Sequence, residues 1–229
     1  MQCQFYFDVM SPYTYFAFQV LKRYRPLWNL KVEFVPFFLG AVMKASGNVP
    51  PASVPNRALF LNHDVQRNAK WYSLPQFKGI PDNLFSEVYK ASVAINRLLA
   101  IVCADANVSE DSKWRLVDAA FHIIWEANEY RAGTGFTSKS VPDTLADIAR
   151  FSGETTIVDS VVSLIESAGK SQLRTNTDIV VNLDGFGSPI LVFPTAADKS
   201  IFFGSDRFEQ IAFLIGKPWF GPNPSPSKL

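Results

Sequence analysis

The sequence predicts an α/β fold interrupted by a large all-α insertion. Two observations carry this. The first stretch reads as strand, helix, strand, and the last as strand, strand, helix. Between them every segment with clear periodicity is helical. Residues 1–45 and 180–229 are therefore read as one split domain and residues 46–179 as a helical insertion domain.

The elements follow in order. Gln4 to Val9 is an apolar run with aromatic and β-branched character, the pattern of a buried strand. Ser11 and Pro12 come next, and Pro suits a first helical turn because its missing N–H has no partner there anyway. Tyr13, Phe16, Val20 and Leu21 then recur at helical spacing as far as Tyr24, and Leu30 to Phe38 is a second strand. Glycines and prolines punctuate Leu39 to Pro81, which predicts loops with one or two short helices. From Leu84 the residues Val88, Ser92, Ile95, Leu99 and Val102 form a helical stripe. Trp114, Val117, Phe121 and Trp125 form the next, with Ser109 as its N-cap. Ser140-x-x-Asp143 with Pro142 between them is a capping box that opens a third helix toward Phe151. Ile157 to Ser167 and Ser171 to Leu183 complete the block. Ile190 to Pro194 and Ile201 to Phe203 read as a hairpin turning at Asp198, and Ser205-Asp206 as the cap of a last helix with Phe208, Ile211 and Ile215 apolar.

Composition narrows the partners. The chain has 229 residues, 48% hydrophobic, with 20 Phe and 5 Trp, enough for a deep core and an apolar pocket. A formal net charge of +1 gives no case for nucleic acid or an anionic membrane. No apolar run approaches the roughly 18–20 residues of a spanning helix, so a soluble protein is expected. Cys3 and Cys103 belong to no C-x-x-C pair or zinc pattern; two buried structural thiols are expected, with a disulfide between them as the alternative. No cleavable presequence is expected, because the strand begins at once. Beyond Trp219 the chain is rich in Pro and Ser, which predicts an extended, exposed tail. It ends in Ser227-Lys228-Leu229, the tripeptide read as a peroxisomal address, so the peroxisome and its import receptor are expected, with mitochondrion or cytoplasm as alternatives.

The chemistry centres on Ser11-Pro12-Tyr13-Thr14, which follows the first strand and opens the first helix. The terminal pieces look like the two halves of a thioredoxin-like fold (βαβ…ββα), in the layout of the bacterial disulfide oxidoreductases. There, a cysteine pair occupies this turn and the helix N-terminus lowers the first thiol's pKa. Here no protein thiol is present, and dithiol exchange at the turn is excluded. A helix N-terminus and a Ser hydroxyl can instead stabilise a thiolate that arrives from outside.

Four segments carry a more specific resemblance. Phe5-Tyr6-Phe7-Asp8-Val9-Met10-Ser11-Pro12-Tyr13-Thr14-Tyr15 is similar to the opening of kappa-class glutathione transferases. Gly40 to Asn48, followed by Pro50-Pro51, is similar to that family's second signature. Phe203-Gly204-Ser205-Asp206-Arg207 and Lys217-Pro218-Trp219-Phe220-Gly221-Pro222 match its C-terminal pattern. The resemblance implies a glutathione transferase that conjugates the glutathione thiolate to a small hydrophobic electrophile in detoxification. Reduction of organic hydroperoxides is implied as a second activity. It also implies a homodimer that uses glutathione as co-substrate and no other cofactor or metal.

By that resemblance Ser11 is the catalytic residue, holding the sulfur as thiolate by a hydrogen bond. Pro12 and Tyr13 complete the glutathione-contacting turn. Asn48 contacts the peptide, or else caps a loop. Arg57 faces a glutathione carboxylate, or else is a surface Arg. Ser188-Pro189 is the cis-proline turn that pairs with the cysteinyl backbone; the family usually has Leu before this Pro, which puts the apolar packing near the thiol in doubt. Ser205 takes the γ-glutamyl carboxylate and Asp206 the ammonium, with Arg207 at the rim, although Ser and Asp are also ordinary helix caps. His63 and His122 are read as surface or structural residues, and the Trp114, Phe121, Trp125 stripe as core or subunit contact. Two other readings stay open: a glutathione-dependent isomerase of the chromene-carboxylate type, and a non-catalytic thioredoxin-like binding module.

Overall fold

The first strand begins earlier than its apolar run suggests. In the computed structural model, which describes residues 1–81, 84–128, 140–194 and 199–224, β1 spans Gln2–Phe7 and ends where the Asp8 carboxylate captures the Met10 N–H at 3.0 Å. Such a local side-chain bond competes with the strand ladder and starts a turn. Helix α1 (Pro12–Trp28) follows, capped by Ser11 and closed by Asn29 in the left-handed region. β2 (Lys31–Pro36) then pairs parallel with β1, from Gln2 opposite Lys31 to Phe7 opposite Pro36.

The C-terminal strands complete the sheet. β3 (Ile190–Pro194) lies antiparallel to β1, and β4 (Lys199–Phe203) antiparallel to β3, giving the order β2-β1-β3-β4. The expected turn at Asp198 lies outside the described residues. The last helix, α9 (Phe208–Leu214), starts later than expected. Its N-cap is Arg207, which makes no side-chain cap bond, so Ser205 and Asp206 do not cap it. Gly204, at φ 103, explains why: the Asp206 carboxylate folds back over it, where an added Cβ would stand 2.6 Å from Asp206 Oδ1.

Among the described residues seven α-helices lie between β2 and β3: α2 (Leu39–Ser46), α3 (Pro55–Trp71), α4 (Tyr89–Ala104), α5 (Glu110–Trp125), α6 (Val141–Ser152), α7 (Thr155–Val161) and α8 (Lys170–Asn182). The caps at Ser109 and Ser140 form as the sequence predicts, the latter as a full capping box. Two expectations need correction. α3 is 17 residues long, not a short helix; the proline-rich stretch stops at Pro55, which is itself the first helical residue. The expected Ile157–Ser167 helix breaks after α7 into a 3-10 turn (Val162–Leu164) and a π turn (Ile165–Gly169). Gly169 there lies so near α4 that an added Cβ would stand 3.0 Å from the Arg97 carbonyl oxygen.

Strand alternation divides the core between the two sheet faces. Cys3, Phe5 and Phe7 of β1 point into the larger cluster, where Phe18, Phe34, Trp114 and Phe121 interlock edge to face and tilted. Tyr6 points the other way, to Val35, Phe37, Val42 and Val180. The aromatic stripe Trp114, Phe121, Trp125 is therefore core. Trp125 also donates its indole N–H to the Val9 carbonyl at 3.0 Å, fixing α5 beneath the turn that leads to Ser11. Among the described residues no helix is long and apolar enough to cross a membrane.

The chain beyond Trp219 does not start as an exposed tail. Tyr24 donates to the Gly221 carbonyl at 2.7 Å and Trp28 to that of Pro218 at 2.9 Å. Arg23 reaches the carbonyls of Tyr72 and Pro222, and Pro222 is buried. The segment is thus strapped along α1 by these donors. Ser227-Lys228-Leu229 lies outside the described residues.

Candidate active site

Ser11 sits at the junction of β1 and α1, nearly buried, with its N–H on the Asp8 carbonyl at 3.2 Å. Its Oγ accepts the Thr14 N–H at 3.3 Å and donates to the Ser188 carbonyl at 3.2 Å. The Ser188-Pro189 peptide is cis, as expected. The Ser188 Oγ accepts the Asp8 N–H at 3.1 Å and lies 2.7 Å from Thr14 Oγ1. A polar contact therefore stands at the residue before the cis-proline, with Thr14 supplying its other half.

Ser11, Pro12, Tyr13, Asn48, Arg57 and Ser188 line one cavity of about 290 Å³. Its remaining wall is largely apolar, with Met10, Phe38 and Met43 on one part and Leu61, Leu84, Phe85 and Tyr89 on another. Tyr13 donates to Asp64 at 2.7 Å, and burial together with that carboxylate holds its phenol well above the ordinary tyrosine range. Asn48 donates to the Phe186 carbonyl at 2.7 Å and accepts the Val49 N–H at 2.9 Å. It thus ties the loop after α2 to the loop before the cis-proline, so the loop-capping reading describes its side chain. Arg57 is exposed on α3 and makes no ion pair among the described residues, which leaves its guanidinium free at the cavity.

Pro189, Ser205, Asp206 and Arg207 are not part of this lining. Ser205 is buried, its carbonyl held by Tyr72 at 2.7 Å. Asp206 is mostly exposed, 3.5 Å from Arg207, and its charge reaches the Tyr13 phenol. That places it on the Tyr13 side of the cavity. His63 is exposed, and His122 pairs with Glu126 at 3.0 Å away from the cavity lining. Cys3 and Cys103 are free thiols; Cys103 is only half-buried, and burial raises both pKa values, that of Cys103 to about 12.

Two residues of this floor were not singled out by sequence reasoning. Asp8 is buried, and its carboxylate accepts three N–H groups: Met10 at 3.0 Å, Asn96 Nδ2 at 2.8 Å and Leu39 at 2.8 Å. Burial pushes its pKa up, while those donors pull it back. The one signal in the sequence was Asn96, a lone amide inside the apolar stripe of α4.

With this geometry established, comparison with known proteins is decisive. The model of the DSBA-like thioredoxin domain matches residues 2–216. The kappa 1 glutathione S-transferase of Caenorhabditis elegans is 32% identical, covering 98% of this chain and 93% of its own length. That of Rattus norvegicus is 30% identical over 96% of this chain and 93% of its own. The chain belongs to the kappa class of glutathione transferases, within the DsbA-like thioredoxin family. A solved 2-hydroxychromene-2-carboxylate isomerase superposes with TM-score 0.72 at 22% identity, covering 94% of this chain and 95% of its own, which shows the shared fold. In this kappa-class chain the turn between β1 and α1 carries Ser11 and Thr14 and no thiol.

Proposed function

We propose that this kappa-class enzyme binds glutathione with its sulfur at Ser11 and conjugates the thiolate to a small hydrophobic electrophile. The observation that carries this is the position of the Ser11 hydroxyl. It sits at the N-cap of a 17-residue helix and opens into an apolar cavity. The helix N-terminus and the hydroxyl both favour negative charge on sulfur, so the thiol proton leaves to solvent and the thiolate remains. The thiolate attacks the electrophilic carbon; with an aryl halide the C–S bond forms and halide departs. With an organic hydroperoxide it attacks the outer oxygen and releases the alcohol. A second glutathione then reduces the resulting sulfenic acid to water and glutathione disulfide. Glutathione is the co-substrate, and neither path calls for a metal or a bound redox cofactor.

The backbone of Ser188 is assigned to the cysteinyl part of the peptide. Arg57 takes a glutathione carboxylate, Ser205 and Asp206 the γ-glutamyl end, and Arg207 the rim. Asn48 acts through the loop it ties to Phe186. Met10, Phe38, Leu84, Phe85 and Tyr89 form the surface for the electrophile. Titration calorimetry with glutathione, alongside conjugation and isomerisation assays, tests the reading; absence of binding, or isomerisation without conjugation, overturns it. Arg57→Ala is expected to weaken glutathione up to about 5-fold, the roughly 1 kcal/mol of a good exposed ion pair. An unchanged dissociation constant removes Arg57 from the site.

The exposed Leu59, Phe60 and Trp71 of α3 support a homodimer. Light scattering should then give twice the 25.6 kDa chain mass, and a monomer refutes it. Ser227-Lys228-Leu229 supports import into peroxisomes through the receptor for that tripeptide. A fluorescent fusion should lose its punctate distribution when the three residues are removed, and mitochondrial or diffuse signal in the intact fusion rejects the assignment.

A further inference from the structure

Two buried hydroxyls meet beside Ser11. Thr14 Oγ1 and Ser188 Oγ lie 2.7 Å apart, and the Asp8 N–H donates to the same Ser188 oxygen at 3.1 Å. The Ser188 side chain is thereby held between the end of β1 and the first turn of α1. The backbones of these two residues are also the partners of Ser11. Thr14 supplies the N–H that Ser11 Oγ accepts, and Ser188 supplies the carbonyl to which it donates. Side chains that bond each other therefore fix the two backbone groups that bracket the Ser11 hydroxyl.

We propose that Thr14 and the Ser188 hydroxyl are positioning residues that aim the Ser11 O–H. A serine hydroxyl rotates freely about its C–O bond, and its partners alone decide where the proton points. With Oγ anchored on the Thr14 N–H, one rotation carries the proton from the Ser188 carbonyl to a sulfur beside it. If the side-chain pair is cut, the carbonyl and the N–H are no longer held in register and the rotor loses its aim. Hydrogen bonds weaken steeply off line, so a small displacement suffices. The proposal rests on the reading of Ser11 as donor to the glutathione sulfur, and neither Thr14 nor the Ser188 side chain touches the reacting atoms.

The test is the pKa of enzyme-bound glutathione, read from thiolate absorbance in the ultraviolet, together with kcat and KM. Thr14→Val keeps the shape and removes the hydroxyl. It is expected to raise the bound thiol's pKa by about half to one unit, which is about 3- to 10-fold less thiolate below that pKa. The rate should fall in step, with KM for glutathione changed less than about twofold. Ser188→Ala cuts the pair from the other side and should give the same shift, and the double variant should be no worse than either single. Thr14→Ser keeps the hydroxyl and should restore the wild-type pKa.

The titratable groups facing this turn are Asp8 at the end of β1, Tyr13 with Asp64, Arg57 on α3, Tyr89 on α4, and Asp206. All are common to these variants, so a difference between the variants isolates the hydroxyls. A wild-type profile in Thr14→Val, additive effects in the double variant, or a shifted profile in Thr14→Ser overturns the proposal. If Thr14→Val does not fold, Ser188→Ala and Thr14→Ser decide by the same readouts. Ser11→Ala, run in parallel, separates the two levels. A shift there with none in Thr14→Val rejects only the pair, whereas no shift in Ser11→Ala rejects the reading of Ser11 and the proposal with it.

Discussion

Ser11→Ala is expected to lower conjugation at neutral pH by about 10- to 100-fold, with little change in KM for glutathione. A hydrogen bond to a charged partner contributes about 1.5–3 kcal/mol. At 1.36 kcal/mol per pKa unit that corresponds to about one to two units in the bound thiol. An unperturbed thiol titrates near about 8.5, so losing this donor moves the group from largely ionised to largely protonated at neutral pH. The N-terminus of α1 persists in the variant and keeps part of the effect, so activity should return as the pH is raised. The measurement is the pH profile of kcat/KM, whose rising limb should move to higher pH. A limb that stays in place, even at reduced rate, would mean that Ser11 orients the peptide and does not hold the sulfur.

Asp8→Ala is expected to cost at least about 3 kcal/mol of folding stability, since each buried donor left without its acceptor costs about 1–3 kcal/mol. Three N–H groups, from the turn between β1 and α1, the start of α2 and the middle of α4, would lose their acceptor together. Native domains hold only about 5–15 kcal/mol in all, so the loss should be plain in chemical denaturation. Asp8→Asn gives a second reading through pH. The Asp8 pKa is raised in the folded state by burial, so the folded protein binds that proton more tightly than the unfolded chain does. Its contribution is therefore full below about pH 4 and is lost as the pH rises through the folded value. Wild type should exceed Asp8→Asn by most at low pH, and the gap should narrow on the way to neutrality. A gap that widens with pH would show that the three donors outweigh burial.

What could be read from the sequence was whatever depends on neighbours in the chain. The strand–Ser11-Pro12–helix junction, the caps at Ser109 and Ser140 and the Ser188-Pro189 turn are local chemistry, and the structure contains them. The misreadings came from distance. Asn96 meets Asp8 across 88 positions and Thr14 meets Ser188 across 174, and no periodicity encodes either contact. α3 looked like loop because the prolines before it punctuate the stretch and it buries only Leu61, Val65 and Ala69, while its apolar Leu59, Phe60 and Trp71 are exposed and blur the stripe. Ser205-Asp206 has the composition of a cap, but the conformation of Gly204 turns the Asp206 carboxylate away from the helix. The tail was read as exposed because its docking onto Tyr24, Trp28 and Arg23 depends on α1, far upstream.

The two cysteines, set aside from the site, bear on how the enzyme behaves among oxidants. Cys3 is sealed in the sheet, and the Cys103 thiol titrates only near about 12, so at physiological pH neither offers a thiolate. A thiolate is what attacks glutathione disulfide and what a peroxide oxidises first. The protein should therefore neither become glutathionylated by its own spent co-substrate nor form covalent dimers as the surrounding pool is oxidised. Its turnover would follow the supply of reduced glutathione alone, with the polypeptide itself a bystander to the redox balance it draws on.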